Sequence, residues 1–132
     1  MKSEGTFNRV FYDGSVKDDK DFVRFMRRES AIPVIAFDRT EPVLFAWLND
    51  LRSNYAFCHF GALHPWGKTA LDVARMILRY WGGILPELKV ILGLIPKENR
   101  LAIRFGKNLG FKELGTIPHL IGAGATLLYY EV

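Results

Sequence analysis

One segment, residues 95–111, constrains the fold of this chain more than any other, because it combines a helix start, an amphipathic helix and a helix stop. It follows residues 88–95, a nearly continuous apolar run typical of a strand buried on both faces. Asn99 lies near the helix start, and Gly110 with Phe111 marks the change from helix to strand. Apolar residues recur between them at helical spacing: Ala102, Phe105 and Leu109. The segment therefore predicts a strand, a helix and a second strand in succession.

Hydrophobic periodicity predicts the remaining elements. A first amphipathic helix is expected in residues 15–28, and a second helix, carrying Trp81 on its apolar face, ends at Gly82 and Gly83. Residues 38–42 have turn composition. The predicted strands are 34–37, 43–48, 55–63, 88–95, 111–116 and 126–132. Three strands that precede a β-α-β unit favour an α/β (α+β) fold, with a mixed sheet covered by helices on both faces.

Length and composition indicate a single domain over residues 1–132, with 49% hydrophobic and 24% charged residues. No apolar run approaches the roughly 20 residues that span a bilayer, so no membrane partner is expected. Cys58 is the sole cysteine, which excludes an internal disulfide and fits a reducing cytoplasm. The net charge of +4 fits an acidic ligand and is equally ordinary for a soluble protein. No concentrated basic run points to nucleic acid.

The pattern of an Asn that opens a helix, an Ala three residues later and a closing Gly-Phe resembles the second signature of the GNAT N-acetyltransferases. Asn99, Ala102 and Gly110-Phe111 carry it here. The short loop that ends in Trp66-Gly67-Lys68 is similar to loops of compact, phage-type members. The resemblance implies a GNAT-like mixed, mostly antiparallel sheet whose central parallel strands, 55–63 and 88–95, splay apart. It also implies acetyl-CoA as cofactor, and direct acetyl transfer to a primary amine of a small molecule or protein.

The same resemblance implies a set of cofactor contacts. The pantetheine arm would bond the backbone of Gly61, Ala62 and Leu63, and the pyrophosphate would meet the loop and helix start formed by Trp66, Gly67, Lys68, Thr69 and Ala70. A glycine lets the backbone approach phosphate, and the first amides of a helix are free donors. Asn99, Arg100 and Phe105 would complete the site. Alternatively, Gly67 only starts a core-facing helix and Asn99 is only an N-cap, worth ~1 kcal/mol.

Gly106 departs from the family pattern. Four residues before the closing glycine the family commonly has a tyrosine that protonates the departing thiolate, and glycine cannot donate a proton. Glycine inside a helix also costs about 1 kcal/mol relative to alanine. Three explanations stay open: the small residue makes room for a ligand, the acid comes from elsewhere, or the chain does not catalyse. The alternative function is a non-catalytic GNAT-like domain that binds acyl-CoA or a protein partner.

Transfer to an amine also needs a proton acceptor. The catalytic candidates are His64 just past the third strand, Glu41 in the turn between strands, and His119 in the loop before the last strand. Each is also readily explained as a packed or surface side chain. Period-two counting puts Cys58 and His59 on opposite faces of their strand, so Cys58 is expected to be a small buried hydrophobe rather than a nucleophile.

Two other interpretations concern the same residues. A phosphate-binding NTPase loop needs four residues between its glycines, whereas five separate Gly61 from Gly67, and this excludes the motif. A homodimer is the other possibility. Its interface would be covered by aromatic residues expected at the surface, namely Trp66, Trp81, Tyr129 and Tyr130.

Overall fold

The computed structural model describes residues 32–62 and 68–132, without the side chains of Asp38, Glu41, Ala62 and Lys68. The first predicted helix, in residues 15–28, and the end of the third predicted strand lie outside the described residues. The described elements are β1 (Ile32–Asp38), β2 (Glu41–Asn49), β3 (Tyr55–Ala62), α1 (Lys68–Ile84), β4 (Val90–Pro96), α2 (Arg100–Leu109), β5 (Lys112–Pro118) and β6 (Gly124–Glu131).

Six strands form one sheet in the order β1-β2-β3-β4-β6-β5. β3 and β4 are parallel, and every other neighbouring pair is antiparallel. Helix α1 supplies the long crossover that a parallel pair requires. This arrangement confirms the predicted fold class, a mixed and mostly antiparallel sheet with a central parallel pair.

One face of the sheet carries the main hydrophobic core. Alternate residues of β2 and β3 point to this face and meet the apolar side of α1. The ring of Phe60 contacts Trp81 of α1 at 5.9 Å and Phe105 of α2 at 6.2 Å between centroids, so both described helices lie on this face. A helix on the other face stays a prediction. Arg75 Nη2 also donates to the carbonyl oxygen of Asn108 at 3.0 Å, which links the two helices.

The opposite face of β2 and β3 carries a stack of aromatic rings. Phe45 lies 5.5 Å from Trp47, and Trp47 lies 4.9 Å from His59, with the rings of each pair nearly parallel. Phe45 and Trp47 are both buried. The two faces of β3 therefore hold different chemistry, since Cys58 lies in the core and His59 lies in the aromatic stack.

Helix α1 continues through the two glycines that were predicted to end it. Neither Gly82 nor Gly83 has a positive φ, so neither residue takes the left-handed conformation that commonly ends a helix. The amide of Leu85 still donates to the carbonyl of Trp81, so the helical hydrogen-bond pattern passes the glycine pair. Trp81 is fully buried, and the prediction that it is exposed at a dimer surface is wrong.

The predicted turn at residues 38–42 is shorter than expected, because β1 and β2 continue to Asp38 and Glu41 and leave only Arg39 and Thr40 in the hairpin loop. Pro42 lies within β2, at the place where the register with β1 shifts. Proline cannot donate a hydrogen bond to a neighbouring strand, and a register shift next to the edge strand β1 is a position that tolerates it.

Strand β4 begins at Val90, two residues later than predicted. Its burial is not uniform: Ile91 and Gly93 are buried, while the other residues are half-buried. The prediction of a strand buried on both faces is therefore wrong. Among the described residues, no helix is long and apolar enough to cross a membrane.

Candidate functional site

The parallel strands β3 and β4 pair along only part of their length. Their ladder joins Tyr55, Ala56 and Phe57 to Val90, Ile91 and Leu92, and it ends there. Beyond that point β3 stays paired with β2 as far as Ala62, and β4 stays paired with β6 as far as Pro96. Each strand is thus held by its outer neighbour while the two inner edges diverge, as the predicted splay requires.

A cavity of about 620 Å³ lies between the splayed strands and helix α2. This volume falls within the range of small-molecule and cofactor sites. Its lining is almost entirely apolar, with Asn99 and His59 as the polar exceptions: Leu44, Cys58, His59, Phe60, Gly61, Gly93, Leu94, Ile95, Asn99, Leu101, Ala102, Phe105, Gly106, Leu109, Phe111 and Leu128. The structure therefore brings together three of the predicted cofactor residues, Gly61, Asn99 and Phe105.

Strands β3 and β4 diverge beyond the pairing of Phe57 with Leu92, so the cavity is closed near Cys58 and opens toward the carboxyl ends of both strands. The mouth is formed by Gly61, Ile95, Asn99 and Leu101, of which Leu101 is 78% exposed. The floor is formed by Cys58, Leu109, Phe111 and Leu128, all of them buried. About 10 Å separates the two ends, since Gly61 is three residue steps along β3 from Cys58, at roughly 3.3 Å for each step.

Asn99 caps helix α2 at the mouth. Its side-chain Oδ1 accepts a hydrogen bond from the backbone N–H of Ala102 at 3.2 Å. The Nδ2 donor takes no part in this cap, and Leu101 and Ala102, in the first turn of α2, also line the cavity. A helix amino terminus carries partial positive charge, so this end of the cavity favours a polar or anionic group.

Gly61 and Gly106 are both explained by close packing. A side chain at Gly61 would overlap the ring of Phe45, its cross-strand partner. A Cβ at Gly106 would lie 2.8 Å from Cδ1 of Leu128. A side chain at position 106 would therefore require this leucine of β6 to move.

Gly93 was not predicted as a site residue. It is buried in β4, yet no heavy atom of a neighbouring segment lies within 4 Å of the position that its Cβ would take. The cavity therefore runs directly against the backbone here. A lone glycine in an otherwise apolar strand is the sequence signal that could have found it, since such a residue often marks a close approach.

The predicted pyrophosphate loop is only partly described. Leu63, His64, Trp66 and Gly67 lie outside the described residues. Helix α1 begins at Lys68, with no acidic residue in its first turn. Within that turn Thr69 is exposed and Ala70 is buried. Arg100, at the start of α2, is also exposed.

Two of the predicted catalytic residues lie at the mouth end of the sheet. Glu41 opens β2 beyond the pairing of Leu44 with Ala62, at the carboxyl end of β3. The turn that holds His119 follows β5, next to the pairing of Pro96 with Ala125 at the carboxyl end of β4. His119 is exposed and does not line the cavity.

Cys58 lines the cavity without the chemistry of a nucleophile. Burial raises the pKa of its thiol to about 12, because the thiolate would lose its hydration. The thiol therefore stays protonated at neutral pH, whereas nucleophilic attack requires the thiolate. The prediction that Cys58 is a small buried hydrophobe is confirmed.

Solved structures share this architecture, although no family model and no curated protein matches the sequence. Spermidine N-acetyltransferase SpeG from Vibrio cholerae, in complex with CoA and spermine, aligns with a TM-score of 0.79 over 95% of this chain and 82% of its own, at 14% identity. A point mutant of SpeG gives a TM-score of 0.71 over 85% and 72%, at 17% identity. Aminoglycoside acetyltransferase AAC(6')-Ib in complex with coenzyme A gives 0.67 over 82% and 70%, at 20% identity. The chain therefore has the fold of the GNAT acetyltransferases.

Proposed function

We propose that this protein is an acetyl-CoA-dependent N-acetyltransferase that acts on a primary amine by direct transfer. The observation that carries the proposal is the cavity between the diverging strands β3 and β4, with its mouth at the amino end of α2. Two of the solved structures with this fold are complexes with CoA. Their amine ligand or substrate class, a polyamine or an aminoglycoside, suggests the first acceptors to test.

The proposed coenzyme contacts run from the start of α1 into the cavity. Backbone amides of Gly67, Lys68, Thr69 and Ala70 would hold the pyrophosphate, beside Trp66. The backbone of Gly61, Ala62 and Leu63 would hold the pantetheine arm. Asn99, Arg100 and Phe105 would bind from the side of α2. The short connection between β3 and α1 supports this order of contacts, since α1 begins six residues after β3 ends.

The cavity suits a pantetheine thioester better than a charged group, because carbon and sulfur dominate its lining and Asn99 stands at the mouth. When bound, acetyl-CoA would supply an acetyl group activated as a thioester. Direct transfer is favoured over a covalent enzyme intermediate, because Cys58 is the sole cysteine and burial raises its pKa to about 12.

The remaining task of the protein is proton transfer. A primary amine must lose a proton before it can attack, and we assign this proton to His64, Glu41 or His119. Gly106 supplies no acid, and a Cβ at this position would lie 2.8 Å from Cδ1 of Leu128. A CoA thiolate is a fair leaving group, so loss of the usual acid slows the reaction without preventing it.

Calorimetry tests the binding part of this proposal. CoA and acetyl-CoA are expected to bind and ATP is not, and no heat with either CoA species would refute the proposal. Gly67→Asp is expected to abolish acetyl-CoA binding, because a carboxylate would repel the pyrophosphate. Gly83→Asp, at an exposed glycine of α1, is the matched control and should retain binding.

Turnover tests the catalytic part. Release of free CoA is measured with spermidine, an aminoglycoside, an amino acid and a peptide amine as acceptors. Release that depends on the acceptor supports the transferase. Coenzyme binding without release for any amine supports the non-catalytic alternative, which the glycine at position 106 favours.

A further inference from the structure

The inner half of the cavity offers an apolar chain more room than an acetyl group needs. Its floor is built from Cys58, Leu109, Phe111 and Leu128, with the ring of Phe60 on the way to it. An acetyl group has three heavy atoms, comparable in size to roughly two waters at about 30 Å³ each. On the same scale a pantetheine arm of about 17 heavy atoms takes roughly 340 Å³, so with an acetyl group it fills about 400 Å³. The whole cavity measures about 620 Å³, which leaves room for a longer acyl chain.

Gly93 keeps this space open. A Cβ at this position would have no atom of another segment within 4 Å, although the residue itself is buried. Valine and isoleucine are the residues that strands favour, and either one here would project into the cavity. At Gly61 and Gly106, by contrast, neighbouring side chains already occupy the corresponding space.

The order of the proposed coenzyme contacts directs the thioester toward the floor. Among the described residues, the pyrophosphate would lie at the start of α1, residues 68–70, and the pantetheine arm at Gly61 and Ala62, so the acyl end continues along β3 toward Cys58. An acyl chain that follows this direction meets only apolar side chains on the floor.

We infer that the site accepts medium-chain acyl-CoA thioesters as well as acetyl-CoA and binds them more tightly, and that Gly93 sets the length of acyl chain that fits. This inference rests on the proposed function, because it uses the proposed direction of the coenzyme. Each methylene group buried in an apolar site raises affinity roughly fourfold. Hexanoyl-CoA carries four more methylene groups than acetyl-CoA.

The first experiment measures the dissociation constants of CoA, acetyl-CoA, butyryl-CoA and hexanoyl-CoA by calorimetry on the full chain. We expect hexanoyl-CoA to bind tighter than acetyl-CoA by at least the roughly fourfold effect of one buried methylene. A smaller gain, or weaker binding, overturns the inference. If no CoA species binds at all, the proposed function itself fails, and the two outcomes are thereby distinguished.

The second experiment compares Gly93→Val with Gly83→Val. Valine at position 93 is expected to lower the hexanoyl-to-acetyl affinity ratio to about one, because its methyl groups fill the path to the floor. Valine at position 83 adds the same atoms at an exposed site in α1 and should keep the wild-type ratio. An unchanged ratio in Gly93→Val overturns the role of Gly93. If circular dichroism shows that Gly93→Val does not fold, Gly93→Ala takes its place.

Discussion

Gly61→Ala is expected to destabilise the protein, because Phe45 occupies the space that a side chain at position 61 would need. The two residues are direct cross-strand partners in the β2–β3 ladder. The Phe45 ring is 4% exposed and stacks on Trp47, with 5.5 Å between centroids and 10° between planes. A buried ring that stacks on Trp47 cannot tilt away from an added methyl group without disturbing this stack.

The magnitude follows from two opposing effects. Overpacking a filled interior by one carbon typically costs about 1–3 kcal/mol. Replacing glycine by alanine recovers roughly 0.4–1 kcal/mol, because the unfolded chain loses conformational freedom. The net loss expected for Gly61→Ala is therefore about 1–2 kcal/mol in the free energy of unfolding. For a chain of this length, that loss lowers Tm by roughly 3–10 °C.

A double-mutant cycle in urea isolates the contact between positions 61 and 45. Phe45→Leu removes the ring atoms that an added methyl group at position 61 would overlap, so Gly61→Ala should cost less than about 0.5 kcal/mol in that background, a coupling of roughly 1 kcal/mol. Gly83→Ala is the control, since open space around an exposed helical glycine predicts a gain of up to about 1 kcal/mol. The same cost for Gly61→Ala in both backgrounds would refute the packing explanation.

Three further outcomes are expected. Asn99→Ala should lose about 1 kcal/mol of stability, because it removes the N-cap. Asn99→Asp keeps the acceptor for Ala102, so it should retain stability but weaken CoA binding by charge repulsion. Unchanged CoA affinity in Asn99→Asp would exclude a coenzyme role for Asn99. Between pH 9 and about 12 the unfolded chain loses the Cys58 proton while the folded protein keeps it, so the folded state becomes less stable as the pH rises. In urea unfolding across this range, the free energy of unfolding of the wild type should fall by up to about 1.4 kcal/mol per pH unit more than that of Cys58→Ala. Gly110→Ala should cost about 1–3 kcal/mol in thermal unfolding, because φ is +113° at this helix end, and a neutral result would contradict the strain.

Local patterns in the sequence were sufficient for the described elements and their order. Asn99 was predicted near the helix start and caps α2, and Gly110 was predicted at its end and terminates it, since capping depends on neighbours within one helical turn. The alternation of Cys58 and His59 across β3 was likewise predictable, because strand geometry has a period of two. The prediction that helix α1 ends at Gly82 and Gly83 was wrong, because glycine permits a helix end but does not require one.

What glycine does at each site was decided by the tertiary structure. Gly61 and Gly93 lie in predicted strands and Gly106 in a predicted helix, but only the tertiary structure shows that Gly61 lies under a phenylalanine ring, Gly93 faces open space and Gly106 lies against Leu128. The residues that distinguish them come from strands 16 or more positions away, so no local pattern could reveal the difference. The extent of the splay is non-local for the same reason, because it depends on where the outer strands β2 and β6 keep their pairing after the inner ladder ends. The sequence alone therefore determined which segments fold and in what order, while long-range packing determined the cavity between them.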